Sequence, residues 1–88
     1  MKIYLGEFLK VTQMQGAVNQ YRIQTTDGVV FQSYDTVIAF IRGGEVYLDV
    51  NWDSTRTTGK YRNIFLGEDK ATTERKIEEG VYQVVNLN

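Results

Sequence analysis

The sequence predicts a single α+β domain over residues 1–88: an antiparallel meander of four to six strands, two short helices near the C-terminal half, and a final strand. Three observations carry this. Asp27-Gly28 and Gly43-Gly44 each separate a pair of strand-forming runs, which is the signal of tight hairpins. Residues 57–66 carry Tyr61, Ile64 and Phe65 at i, i+3 and i+4, the spacing of one helical face. After Gly80 the tail "VYQVVNL" returns to strand-like composition. Strands followed by helices, closed by a strand, make an α+β order.

The elements follow in turn. "GEFLKVTQM" reads as a first strand ending in a soft turn around Gln15-Gly16. In "QYRIQT", Tyr21 and Ile23 share one face, with Gln20, Arg22 and Gln24 opposite, because strand side chains alternate. Asp27-Gly28 is expected to form a I′ turn, with φ > 0 at both residues, before "VVFQSY". The run Val37 to Ile41 does not alternate, so it should be central and covered on both faces. After Gly43-Gly44, "EVYLDV" alternates: Val46, Leu48 and Val50 point to the core, while Glu45, Tyr47 and Asp49 form a solvated face. Asp53, Ser54 or Thr55 supplies the cap of the first helix, since their oxygens accept from its first-turn amides. Gly67 ends that helix. A second helix covers about Ala71 to Glu79, with Lys70–Glu74 and Arg75–Glu79 spaced for i,i+4 pairing, and Gly80 stops it.

Composition narrows the chemistry. Ten bases against eleven acids leave a net charge of −1, which disfavours both a wrapper of nucleic acid and a strongly acidic mimic of it. Cysteine and histidine are absent. Disulfides, thiolate or imidazole metal sites and the usual near-neutral proton shuttle are thereby excluded. Neither an enzyme nor a bound cofactor or metal is expected. The first residues, "MKIYLGEFLKV", are interrupted by Gly6, Glu7 and Lys10. They lack the apolar core of a signal peptide, and no run reaches membrane-spanning length. A cytoplasmic location is the expectation.

The stretch "NWDSTRTTGKYR", residues 51–62, is the most suggestive for function. On a helical wheel Arg56 and Lys60 lie opposite the apolar stripe, with Arg62 on its flank, so the cations are expected to face outward. Arg56, Lys60 and Arg62, with Trp52 and Tyr47, form the candidate partner-binding set, since Trp, Tyr and Arg dominate binding hot spots. A second reading makes Thr57, Thr58 and Lys60 an anion site at a helix start. Capping and a solvated basic face explain the same residues, and the glycine loop of a P-loop is absent. Trp52 is expected to pack under the helix as the strand exits. Glu45 and Asp49 stand too far apart along a strand to act as an acid–base pair, and no EF-hand spacing joins them to Asp53.

The segments "SYDTVIA" and "WDSTRTTGKYRNIFLGE", with the ending "EGVYQVVNLN", resemble small bacteriophage and prophage proteins of unknown function. Their pattern is Ser-Tyr-x-Thr-x-Val/Ile-Ala, a strand, then aromatic-Ser-x-Thr-Thr-x-Lys. Here Ser54 precedes Thr55-Arg56-Thr57-Thr58 without the tyrosine those proteins place before the motif. The resemblance implies a phage-encoded accessory protein in the host bacterial cytoplasm. It carries no established activity, and small size with phage origin makes a protein that binds and inhibits or modulates a host protein the expectation. Defence nucleases of the CRISPR type are among the targets that size and origin suggest. The alternative is a small nucleic-acid- or nucleotide-binding module using the helix start at residues 54–62. A homo-oligomer through a sheet edge is a further expectation, since unpaired edges invite pairing.

Overall fold

The computed structural model describes residues 3–14 and 16–88. Six strands form one sheet in the spatial order β1-β2-β3-β4-β5-β6. The first five strands, β1 (Phe8–Gln13), β2 (Gln20–Thr25), β3 (Val29–Ser33), β4 (Thr36–Arg42) and β5 (Glu45–Asp49), are an antiparallel meander. Helices α1 (Arg56–Leu66) and α2 (Lys70–Glu78) then carry the chain over one face of the sheet, returning it as β6 (Tyr82–Val85), parallel to β5. The expected α+β fold is the observed one. No helix among the described residues is long and apolar enough to cross a membrane.

Gly43 and Gly44 adopt φ of 55° and 83°, as a I′ hairpin requires. Asp27-Gly28 does not: neither residue has positive φ among the described backbone. Instead Thr25 N–H donates to the Gly28 carbonyl, and the Thr25 hydroxyl accepts from the Asp27 and Gly28 amides. The glycine is needed for another reason. A Cβ at residue 28 would run into the Ile41 carbonyl of β4, so this hairpin end passes against a neighbouring strand's backbone. The turn expected at Gln15-Gly16 falls partly outside the described residues, although Gly16 has φ 68°.

The sheet is covered on both faces. On the helical face Phe31, Ile38, Ala39, Leu48, Phe65 and Tyr82 pack with Met14 and Ala17. On the other, Ile23, Val30, Val37, Phe40 and Tyr47 pack with Leu87, while Ile3, Leu5 and Val85 lie against them. The N-terminal segment and the C-terminal tail therefore close the second face. A register shift explains the non-alternating run in β4: Phe31 pairs with Ala39 and Gln32 with Val37, leaving Ile38 as the extra residue of a bulge. Ile38 and Ala39 thus reach the same core while Val37 and Phe40 reach the other.

This second core corrects the solvated face expected for β5. Tyr47 is 6% exposed and Asp49 fully buried, whereas Val50 is exposed. The Asp49 carboxylate accepts from Leu87 N–H at 2.7 Å and from Asn51 N–H at 2.9 Å. A carboxylate with two amide donors is satisfied where a bare one would be costly. It pins the tail that covers Tyr47.

Candidate functional site

Helix α1 is rotated relative to the expectation from Tyr61, Ile64 and Phe65. Its buried side is Thr58, Arg62 and Phe65, spaced i, i+4 and i+7, with Tyr61 and Leu66 half-buried at the margins. Phe65 stacks on Phe31 with ring centroids 5.7 Å apart. Ile64, expected in the core, is 58% exposed. The rotation follows from what the sheet offers at the helix start. Ser33 of β3 meets the Thr58 hydroxyl at 2.9 Å in a buried contact, so a polar side chain occupies the inner position there.

Arg62 departs furthest from the outward-facing role expected of it. It is 1% exposed and faces inward. Its guanidinium lies 5.0 Å above the Trp52 ring, donates to the Trp52 carbonyl at 2.9 Å and the Asp53 carboxylate at 3.2 Å, and donates to the Asn63 side chain at 2.8 Å. Lys70, from the start of α2, holds the other Asp53 oxygen at 2.7 Å. Asp53 therefore joins the two helices and does not cap α1. Hydrogen bonding from Lys70, opposed by partial burial and reinforced by Arg62, holds its carboxyl below the ordinary carboxylate value, and the same contact raises Lys70. Thr55 is the cap, its hydroxyl accepting from Thr58 N–H at 3.1 Å.

The candidate residues consequently do not converge as expected. Tyr47 lies in the second core, its hydroxyl donating to Glu45 and accepting from Arg42, and offers nothing to a partner. Arg62 is consumed by the Trp52–Asp53 loop. Trp52 is half-buried against the main core, which is the packing role expected of it. Thr58 has its amide, its hydroxyl and its surface committed to Thr55 and Ser33. The trio Thr57, Thr58 and Lys60 thus cannot close on one anion. Exposed are Arg56, Thr57 and Lys60, and neither cation has an ion-pair partner among the described residues.

A different surface emerges from the same helix. Arg56, Lys60 and Ile64, at i, i+4 and i+8, form one exposed stripe down its outer side. Beside it an open, shallow cleft of about 570 Å³ runs from Ser54 past Gly59 to Asn63 and Lys70. With Asp53 neutralised by Arg62 and Lys70, the region is net positive on a protein whose total charge is −1. Ile64 thus belongs to this stripe and not to the core, and Lys70 pairs with Asp53 where spacing alone suggests Glu74.

A second polar network sits between the helices and β6. Glu68 accepts from Thr73, Lys76 and Tyr82 at 2.6–2.8 Å. Burial acts to raise its pKa, but those three donors outweigh it and hold the carboxyl below its ordinary value. Each oxygen is satisfied within the protein, so the cluster fastens α2 to the sheet. Among the described residues no group of three or more Asp or Glu is placed to hold a metal ion.

No curated protein and no solved structure matches the chain significantly. A family model described as "Family of unknown function (DUF8033)" matches residues 7–80. That span runs from the start of the meander to the end of the second helix, and so the protein belongs to this family of unknown function.

Proposed function

We propose that this protein is a small accessory module that works by binding another protein through the outer side of α1, inhibiting or modulating it. One observation carries the reading: an exposed stripe of Arg56, Lys60 and Ile64 beside a net-positive cleft. Charge on the rim with an aliphatic contact beside it suits a complementary acidic protein surface, where it steers encounter and sets register. The stripe is mounted on a helix whose inner side is locked by Thr58, Arg62 and Phe65, so it is presented without much ordering cost. The resemblance to phage proteins makes a host protein, including a defence nuclease, the partner to look for.

The test is tagged capture from the host bacterium's lysate, followed by size exclusion of the recovered complex. Wild-type protein should hold a stoichiometric partner, and Arg56→Glu with Lys60→Glu should lose it while unfolding at the same urea concentration. Equal recovery by the variant removes this surface from consideration. Retention of oligonucleotides instead, with affinity falling steeply with salt, would favour the nucleic-acid alternative at residues 54–62.

A further inference from the structure

The edge strand β1 is exposed along its whole length, on both faces. Tyr4, Phe8, Leu9 and Val11, at or beside this edge, are each 50–67% exposed. An unpaired edge of this kind is a template for another strand, and proteins ordinarily blunt it with prolines, charges or bulges. This chain has no proline, Lys10 is the only charge within β1, and the bulge of β1 lies near its start, between Phe8 and Lys10, leaving Lys10 to Gln13 as regular edge.

The hydrogen-bond pattern identifies which backbone groups are free. Met14 N–H donates to the Gln20 carbonyl at 2.7 Å. Antiparallel ladders alternate, so Thr12 and Lys10, opposite Arg22 and Gln24, also turn their amides and carbonyls toward β2. Val11 and Gln13 then direct theirs away from the sheet.

From this we infer that β1 pairs antiparallel with β1 of a second copy of the chain, about a two-fold axis at Val11, to make one continuous twelve-stranded sheet. The arrangement is self-complementary. Val11 exchanges two hydrogen bonds with its counterpart, and Lys10 faces Thr12 of the other copy, so no like charges oppose. A register one residue earlier would set Lys10 against Lys10, which is unfavourable. The register shift between Phe8 and Lys10 ends the regular ladder, and the opposite edge, β6, is only four residues long. Pairing therefore closes as a dimer and does not propagate.

Phe8, Leu9 and Val11 are 50–64% exposed along the strand, and a single strand-to-strand contact buries a small area, so the dimer is a weak one. A net charge of only −1 leaves little long-range repulsion between copies. This inference is independent of the α1 surface, which lies elsewhere on the sheet.

Sedimentation equilibrium across the micromolar range tests it. Wild-type protein should dimerise. Val11→Lys and Val11→Glu, each placing like charges opposite one another at the axis, should each weaken the dimer at least about fivefold. An equimolar mixture of the two variants should recover wild-type association, because Lys then faces Glu. Val11 is exposed, so both variants should keep the wild-type urea midpoint. A monomeric wild type, unchanged dimerisation of the single variants, or a mixture no better than its components would each overturn the inference. The first outcome would also leave the edge to a strand from a different protein.

Discussion

Replacing Arg62 with alanine separates a basic surface residue from a buried anchor. Were Arg62 on the solvated flank of α1, the change would cost no more than about 0.5 kcal/mol. The structure demands far more. The lost guanidinium bonds to the Trp52 carbonyl, Asp53 and Asn63 include hydrogen bonds to a charged donor, worth about 1.5 kcal/mol or more each when truncation strands their partners. Solvent reaches Asp53, whose side chain is 35% exposed, and Lys70 remains bound to it, so that contact counts for less. Removal of the buried aliphatic stem costs about 2 kcal/mol, and loss of the cation over the Trp52 ring about 1 kcal/mol. These losses come to about 6 kcal/mol, but truncation also relieves the buried Arg62 Nε, which has no hydrogen-bond partner among the described residues, returning about 2 kcal/mol. A net loss of about 4 kcal/mol is expected, against roughly 4–13 kcal/mol for the stability of a chain this long. Arg62→Met, which keeps the stem, should lose about half as much. Urea unfolding reads this directly, because Trp52 is the only tryptophan and lies against the mutated side chain. Far-UV circular dichroism checks that the same transition is global. A loss below about 1 kcal/mol for Arg62→Ala would refute the anchor and the orientation of α1 with it.

Other consequences are open to equally direct measurement. Asp49→Ala should cost about 2–3 kcal/mol, because the Leu87 and Asn51 amides lose their acceptor, and hydrogen exchange at Leu87 should accelerate. Phe65→Ala should cost about 3–5 kcal/mol and Ile64→Ala about 0.5 kcal/mol or less, a disparity not expected if both lined the core; urea midpoints decide it. Stability should also depend on pH in a stated direction. The Glu68 and Asp53 carboxyls lie below their ordinary values of 4.5 and 3.8, so their contribution is present above those values and is lost as pH falls through the lower folded ones. Lys76, raised above 10.5 chiefly by its hydrogen bond to Glu68, contributes fully below that value and loses its contribution as pH rises past it. Glu68→Gln should flatten the acid limb of a thermal-melting series, and an unaltered limb would show that this cluster does not carry it.

Much of the architecture is legible in the sequence because it is written in local chemistry. Gly43-Gly44 requires left-handed φ at both residues, and Gly67 and Gly80 end the helices the same way. Thr55 stands where a cap is needed. Two-residue alternation marks the strands, and none of these signals depends on distant residues. Element type and order follow from such rules. Which side of an element meets a core does not. The alternation of β5 is satisfied equally by one covered face or two, and only the return of Ile3, Leu5 and Leu87 over the second face makes Tyr47 and Asp49 internal.

Helix α1 shows the same division. Its wheel has an apolar arc, and burying that arc is the economical expectation. Tertiary contacts add terms a wheel lacks: Ser33 facing Thr58, and a Trp52–Asp53 loop that holds a guanidinium inside. Those terms turn the helix so that Arg62 is enclosed and Ile64 is left in water. The candidate surface therefore keeps Arg56 and Lys60 and exchanges its other members. Sequence by itself determined that this chain is a strand meander followed by two helices and a strand, since backbone conformation is set by near neighbours. The assembled sheet decided what each element shows to the outside, since burial is settled by whatever distant segment lies across the face.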